Sequence, residues 1–113
     1  MLWQINGDKM YHLNEYQIQA MEVRLPSASP EYAVLGLPGE VGELCSLVAK
    51  GIRDGRKFDY DQMIKKELGD CLWFIAAIAT DHGFTLEDVA NSNIHKLQKR
   101  KAEGKLQGSG DNR

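Results

Sequence analysis

Four carboxylates in this chain fall into two matched pairs, Glu40-Val41-Gly42-Glu43 and Glu67-Leu68-Gly69-Asp70. Within each pair the spacing is i,i+3, which on a helix places both side chains on one face, roughly 5–6 Å apart. Each pair has apolar neighbours, Leu44 and Leu47 beside the first and Cys71 and Phe74 beside the second. At an effective dielectric near 20, two like charges ~4 Å apart repel by about 4 kcal/mol. Acids gathered in apolar surroundings therefore either keep protons or hold a cation. The donors are hard carboxylate oxygens with no His or Cys at ligand spacing, which suits Mg2+, or Mn2+ as its substitute, better than zinc. Either motif alone is the pattern of a solvated helix face. Gly42 and Gly69 lie between the acids, and each costs roughly 0.5–1 kcal/mol of helix stability. Together the two motifs point to a site at a tight helix crossing.

Helices must position these groups. Asn14 is an N-cap for a first helix to about Arg24, with Tyr16, Ala20, Met21 and Val23 inward, and Pro26 ends it. Ser29-Pro30-Glu31 is a strong second start, with a capping Ser, Pro at the first helical position and an acid in the first turn. Apolar residues from Ala33 to Val48 then recur at helical spacing, interrupted by Pro38-Gly39, where the helix kinks or restarts; Gly51 supplies the stop. Residues 52–58 form a basic loop with Arg53, Arg56 and Lys57. Asp59 with Gln62 is a capping-box pattern opening a third helix to Asp81, followed by His82-Gly83 as its C-terminus. Thr85 with Asp88 opens a fourth, to about Glu103. No strand-period alternation is visible. The expected fold class is all-α, a four-helix-bundle type. Residues 1–104 form one domain with 1–13 as an N-terminal arm, and 105–113 form a flexible tail.

The third helix is apolar nearly all round from Cys71 to Ala79. A helix hydrophobic on every side must be covered on every side, so completion of the fold by a homodimer, or a tetramer, is expected. On the fourth helix, at about 100° per residue, Asn93, Lys96 and Arg100 share a stripe with core-facing Val89 and Leu97. Cations on the bundle side of a helix want an anionic partner. A metal held by acids, with cations opposite, is an arrangement for a polyphosphate.

Composition bounds the alternatives. Hydrophobic residues make up 42% and charged residues 27%, ordinary for one globular domain. The net charge of −2 favours neither nucleic acid nor an acidic membrane surface. Cys45 and Cys71 form no CxxC and read as buried free thiols, which fits a cytoplasmic protein. The N-terminus has no signal-peptide pattern, and the apolar run Cys71 to Ala79 is far short of the ~20 residues a membrane span needs. No membrane partner is expected.

Three segments together resemble a known family: Gly36-Leu37-Pro38-Gly39-Glu40-Val41-Gly42-Glu43-Leu44, Lys66-Glu67-Leu68-Gly69-Asp70, and Asn93-Ile94-His95-Lys96-Leu97-Gln98-Lys99-Arg100. The combination resembles the MazG-like all-α nucleoside triphosphate pyrophosphohydrolases, over nearly the whole chain. The resemblance implies Glu40, Glu43, Glu67 and Asp70 as Mg2+ ligands and catalytic residues. Asn93 and Lys96 would contact the triphosphate, with Arg100 and Lys50 or Arg53 neutralising its charge. Trp3, Tyr16 and Trp73 are candidates for stacking on the base. The implied reaction is hydrolysis of a (deoxy)nucleoside triphosphate to the monophosphate and pyrophosphate, with metal-activated water attacking at the α–β linkage. One departure stands out: many members carry a further Glu just before the first motif, where this chain has Gly39. Two other readings compete. One is a non-catalytic metal- or nucleotide-binding regulator. The other is a helical nucleic-acid-binding module using the basic segment 95–105, which the net charge and the lack of aromatics in that segment disfavour.

Overall fold

The computed structural model describes residues 4–5 and 8–112 of the chain. Four helices carry the fold: α1 (Leu13–Glu22), α2 (Pro30–Asp54), α3 (Tyr60–Asp81) and α4 (Leu86–Ala102). The all-α expectation holds with one small exception. The N-terminal arm forms a hairpin of two-residue strands, β1 (Gln4–Ile5) and β2 (Asp8–Lys9), pairing Gln4 with Lys9 and Ile5 with Asp8. Strands this short have no room to display an alternation.

Local chemistry accounts for most helix ends. The Ser29 hydroxyl accepts a hydrogen bond from the Tyr32 N–H (3.2 Å), and Thr85 accepts one from Asp88 (3.1 Å), each occupying a first-turn donor. Gly83 takes φ +76° just after α3, a left-handed turn that glycine makes without penalty. Other ends differ from expectation. α1 is capped at His12, whose backbone N–H donates to Glu15 Oε1 (3.3 Å). Asn14 instead bridges to the start of α4, donating to Glu87 Oε2 (2.7 Å) and accepting from the Glu87 N–H (3.0 Å). α2 runs unbroken through Pro38-Gly39 and past Gly51, to a cap at Gly55 with φ +89°. The expected Asp59/Gln62 box is not made: Asp59 precedes α3 without a side-chain capping bond.

α2 and α3 form the central antiparallel pair, with α1 packed on α3, and α4 packed on α1 and on the end of α3. α2 turns Ala33, Leu37, Glu40, Leu44 and Leu47 inward, and α3 answers with Tyr60, Met63, Glu67, Cys71 and Phe74. The core is made of small side chains. One cluster joins Ala33, Phe74 and Ala77, with Trp73 and Leu37 against it; a second joins Ala76, Ala79 and Leu86, with Tyr16 and Leu72. Much of the apolar run on α3 is thus buried within one chain, and Ile75 remains exposed. Val23, expected inward, is exposed, and Gln17 takes the buried place instead. Its amide donates to Thr80 Oγ1 and the Phe84 carbonyl (2.9 Å each) and accepts from the Leu86 N–H (2.7 Å), fastening α1 to the α3–α4 turn.

Arg24 and Asp81 pair through two 2.9 Å bonds, both side chains being largely shielded from water. This guanidinium holds the Asp81 carboxyl below the usual carboxylate range. The unfolded chain then binds the proton more tightly, so the pair's stabilisation is full above the unfolded pKa of about 3.9 and is lost as pH falls through the folded value. Asp81→Asn is expected to lower stability by about 1 kcal/mol near neutral pH. Thermal midpoints measured against pH should show that deficit shrinking as the wild type is acidified.

Candidate functional site

The acids meet where α2 crosses α3. One carboxylate oxygen each from Glu40, Glu67 and Asp70 lies within 4.8 Å of the other two. Glu40 and Glu67 are half-buried, because they occupy the inward stripes of their helices, and Asp70 is exposed. Glu43, one turn further along α2, is exposed and stands outside this trio, but shares a pocket with Glu67. Burial, and then the charges of Asp70, Glu67 and Glu43, push the Glu40 carboxyl above its ordinary pKa. Burial, and then the charges of Glu40, Asp70 and Glu67, push the Cys71 thiol up as well. Three carboxylate oxygens converging in a partly dry crossing fit a hard divalent cation such as Mg2+.

The glycines between the acids are not explained by close packing. A Cβ at Gly42 or Gly69 would meet nothing within 4 Å among the described residues, so the tight crossing expected there is not made by them. The close approach is at Gly36, where a Cβ would run into the Phe74 ring. Gly39 also faces open space, so packing does not exclude an acid from that position.

The cationic half of the site differs from expectation. α4 does not reach α2 among the described residues, because it leaves the far end of α3, beyond Asp81. Asn93 and Lys96 line a separate open hollow with Phe84 and Asp88. Arg100 is buried under the C-terminal segment, donating to the Asp111 carbonyl (2.8 Å), and Lys96 pairs with the Asp111 carboxylate (3.1 Å). Val89 and Leu97, expected to face the core beside these cations, are exposed, and Arg100 is buried by the C-terminal segment rather than by the bundle. Lys50 lines a pocket of about 280 Å³ whose wall also includes Glu43 and Glu67. Arg53 is not among that pocket's lining residues and pairs with its neighbour Asp54 through bonds of 2.8 and 2.7 Å. Lys57 and Tyr60 line the same pocket without being among the expected site residues; the basic loop that contains Lys57 is the available signal.

The three aromatic candidates separate. Trp73 is pinned in the fold, its indole N–H donating to the Ala20 carbonyl (3.0 Å) and its ring edge-on to Phe74 at 5.1 Å. Tyr16 is half-buried; burial, and then the charge of Asp70, push its hydroxyl pKa up. Trp3 lies outside the described residues.

The family model for the MazG nucleotide pyrophosphohydrolase domain matches residues 28–104, which include both acid pairs and α4. The chain belongs to this family. The Gene 37 protein of Mycobacterium phage L5 is 36% identical over 113 residues, covering 90% of this chain and 99% of that protein. No solved structure matches.

Proposed function

We propose that this protein hydrolyses a (deoxy)nucleoside triphosphate to the monophosphate and pyrophosphate at the α2–α3 crossing. The observation that carries this reading is the convergence of Glu40, Glu67 and Asp70, within a chain of the MazG family. These oxygens, with Glu43 alongside, would hold Mg2+, and Mn2+ could replace it. When bound, the ion would draw charge from the phosphate oxygens and make water a better nucleophile. One of these carboxylates, with Glu43 the exposed candidate outside the trio, would accept the proton from the attacking water. The water oxygen bonds to phosphorus at the α–β linkage, the bridging P–O bond breaks, and pyrophosphate departs with the electron pair. Lys50, rather than the cations of α4, supplies the positive charge beside the acids within one chain.

The functional unit in this reading is a homodimer. Val34, Val41 and Val48 lie seven residues apart on α2 and are 52%, 42% and 37% exposed, an unpartnered apolar seam. α2 also meets the length and hydropathy of a membrane-crossing helix. Glu40 and Glu43 near its middle would be costly in a bilayer, so a second copy fits the seam better. Pyrophosphate release from the purified protein, assayed with Mg2+ over a panel of NTPs and dNTPs, tests the activity. Turnover of at least one, abolished by EDTA, is the expected result; turnover of none overturns the reading. Light scattering during size exclusion should give twice the chain mass or more, and a monomer would remove the dimer.

A further inference from the structure

The pocket beside the acids is closed by the last turns of α2, the loop after it and the first turns of α3. Its wall includes Glu43 and Glu67 at one end, Lys50 and Lys57 as its cations, and Tyr60 and Met63 from α3. Gly51 helps to shape it: a Cβ there would lie 3.0 Å from Tyr60 Cε2, so glycine lets the ring lie against α2. At about 280 Å³ the space is at the lower edge of the ~300–1,000 Å³ typical of pockets that enclose a whole drug-sized ligand. It is better matched to a short polyanion than to a complete nucleotide.

Glu43 and Glu67 balance Lys50 and Lys57 in the lining, so a polyanion there also needs the divalent cation that the acids would hold. Asp54 also lines the pocket, but its two oxygens are engaged by Arg53. Arg56, which is not part of the lining, has its guanidinium carbon 4.8 Å from the centre of the Tyr60 ring. Tyr60 and Met63 belong to the N-terminal end of α3, the positive end of a helix dipole, and the Asp59 side chain does not cap it. At the other end of the acid cluster lies Asp70, whose charge is felt by Tyr16 of α1.

Resting on the pyrophosphohydrolase reading above, we infer that this pocket holds the two terminal phosphates of the substrate, and then the departing pyrophosphate, with Lys50 and Lys57 as counter-charges. The substrate therefore lies along the α2–α3 groove with its nucleoside toward α1. When the α–β bond breaks, the bridging oxygen keeps the electron pair, and the new negative charge appears at the mouth of the pocket.

Calorimetry on the full chain with Mg2+ tests this, using inorganic pyrophosphate and a nucleoside monophosphate as separate probes. Lys50 and Lys57 are both exposed, so Lys50→Gln and Lys57→Gln should fold, as an unchanged thermal midpoint would verify. A charge-assisted hydrogen bond is worth enough that each variant should weaken pyrophosphate binding about tenfold or more. Monophosphate binding should stay within about twofold of wild type, and Lys57→Arg should keep pyrophosphate affinity. Unchanged pyrophosphate binding in both variants, with NTP turnover intact, overturns this assignment alone. Parallel weakening of both probes overturns it too. Absence of both turnover and nucleotide binding in the wild type removes the underlying reading, and this one with it.

Discussion

Glu67→Gln and Asp70→Asn should each lower NTP turnover by at least about 100-fold, the scale of losing one electrostatic stabiliser of a transition state. Both replacements keep the shape of the side chain and remove one negative charge from the α2–α3 crossing. Their effect on stability should have the opposite sign. Burial and the neighbouring acids raise the Glu40 pKa, so without metal the folded chain binds that proton more tightly than the unfolded chain. The metal-free fold therefore loses stability as pH rises from the unfolded Glu40 pKa through the folded one. Removing the charge at position 67 or 70 relieves part of that loss. Differential scanning fluorimetry should show the metal-free variants melting above metal-free wild type, and losing the rise that Mg2+ gives the wild type. Variants that melt lower and still respond to Mg2+ would show that these carboxylates act as structural groups instead.

Gly36→Val should be the most damaging single change to the fold outside the acid cluster. A Cβ at this position would lie 2.6 Å from Phe74 Cζ, and closer still to Cε1. The ring has little freedom to swing away, with Trp73 edge-on at 5.1 Å and Tyr32 at 5.9 Å. Overpacking of this kind costs about 1–3 kcal/mol. Since 1 kcal/mol moves the midpoint of a small domain by roughly 4–8 °C, a fall of about 10 °C is expected. Gly36 lies one turn before Glu40, so α2 can relieve the clash only by moving the site, and activity should fall as well. Gly42→Ala and Gly69→Ala make the control, since a Cβ at either meets nothing within 4 Å among the described residues. Each should leave the midpoint unchanged or raise it by the ~0.5–1 kcal/mol that Ala gains over Gly in a helix. A melt of Gly36→Val within about 2 °C of wild type would contradict this account of the crossing.

What could be read from the residues, and what could not, follows from the range of the interactions involved. Ser29-Pro30 and Thr85-Asp88 were legible because a cap is made by neighbours in sequence. The two acid pairs were legible because i,i+3 spacing fixes a shared face before any partner helix is known. Pro38 left a kink or a restart open for a local reason: it removes the donor to the Val34 carbonyl, but Val34 is 52% exposed, so solvent can satisfy that oxygen and the helix does not restart. Asn14 and Gln17 were hidden because their partners, Glu87 and Leu86, are far along the chain. The same distance explains α4. A helical wheel gives the face a cation occupies but not which neighbour lies opposite, and the C-terminal segment, expected to be mobile, supplies the partner of Lys96 and Arg100. Gly42 and Gly69 drew attention through their spacing, while Gly36, which touches Phe74, had no local signature.

The central claim is that the acids at the α2–α3 crossing direct scission to the α–β linkage. The most direct measurement is phosphorus NMR of the products formed from one NTP with purified protein and Mg2+. Equimolar nucleoside monophosphate and pyrophosphate, formed by the wild type and absent with Asp70→Asn, is the predicted result. Nucleoside diphosphate with orthophosphate, or equal turnover by Asp70→Asn, would contradict it.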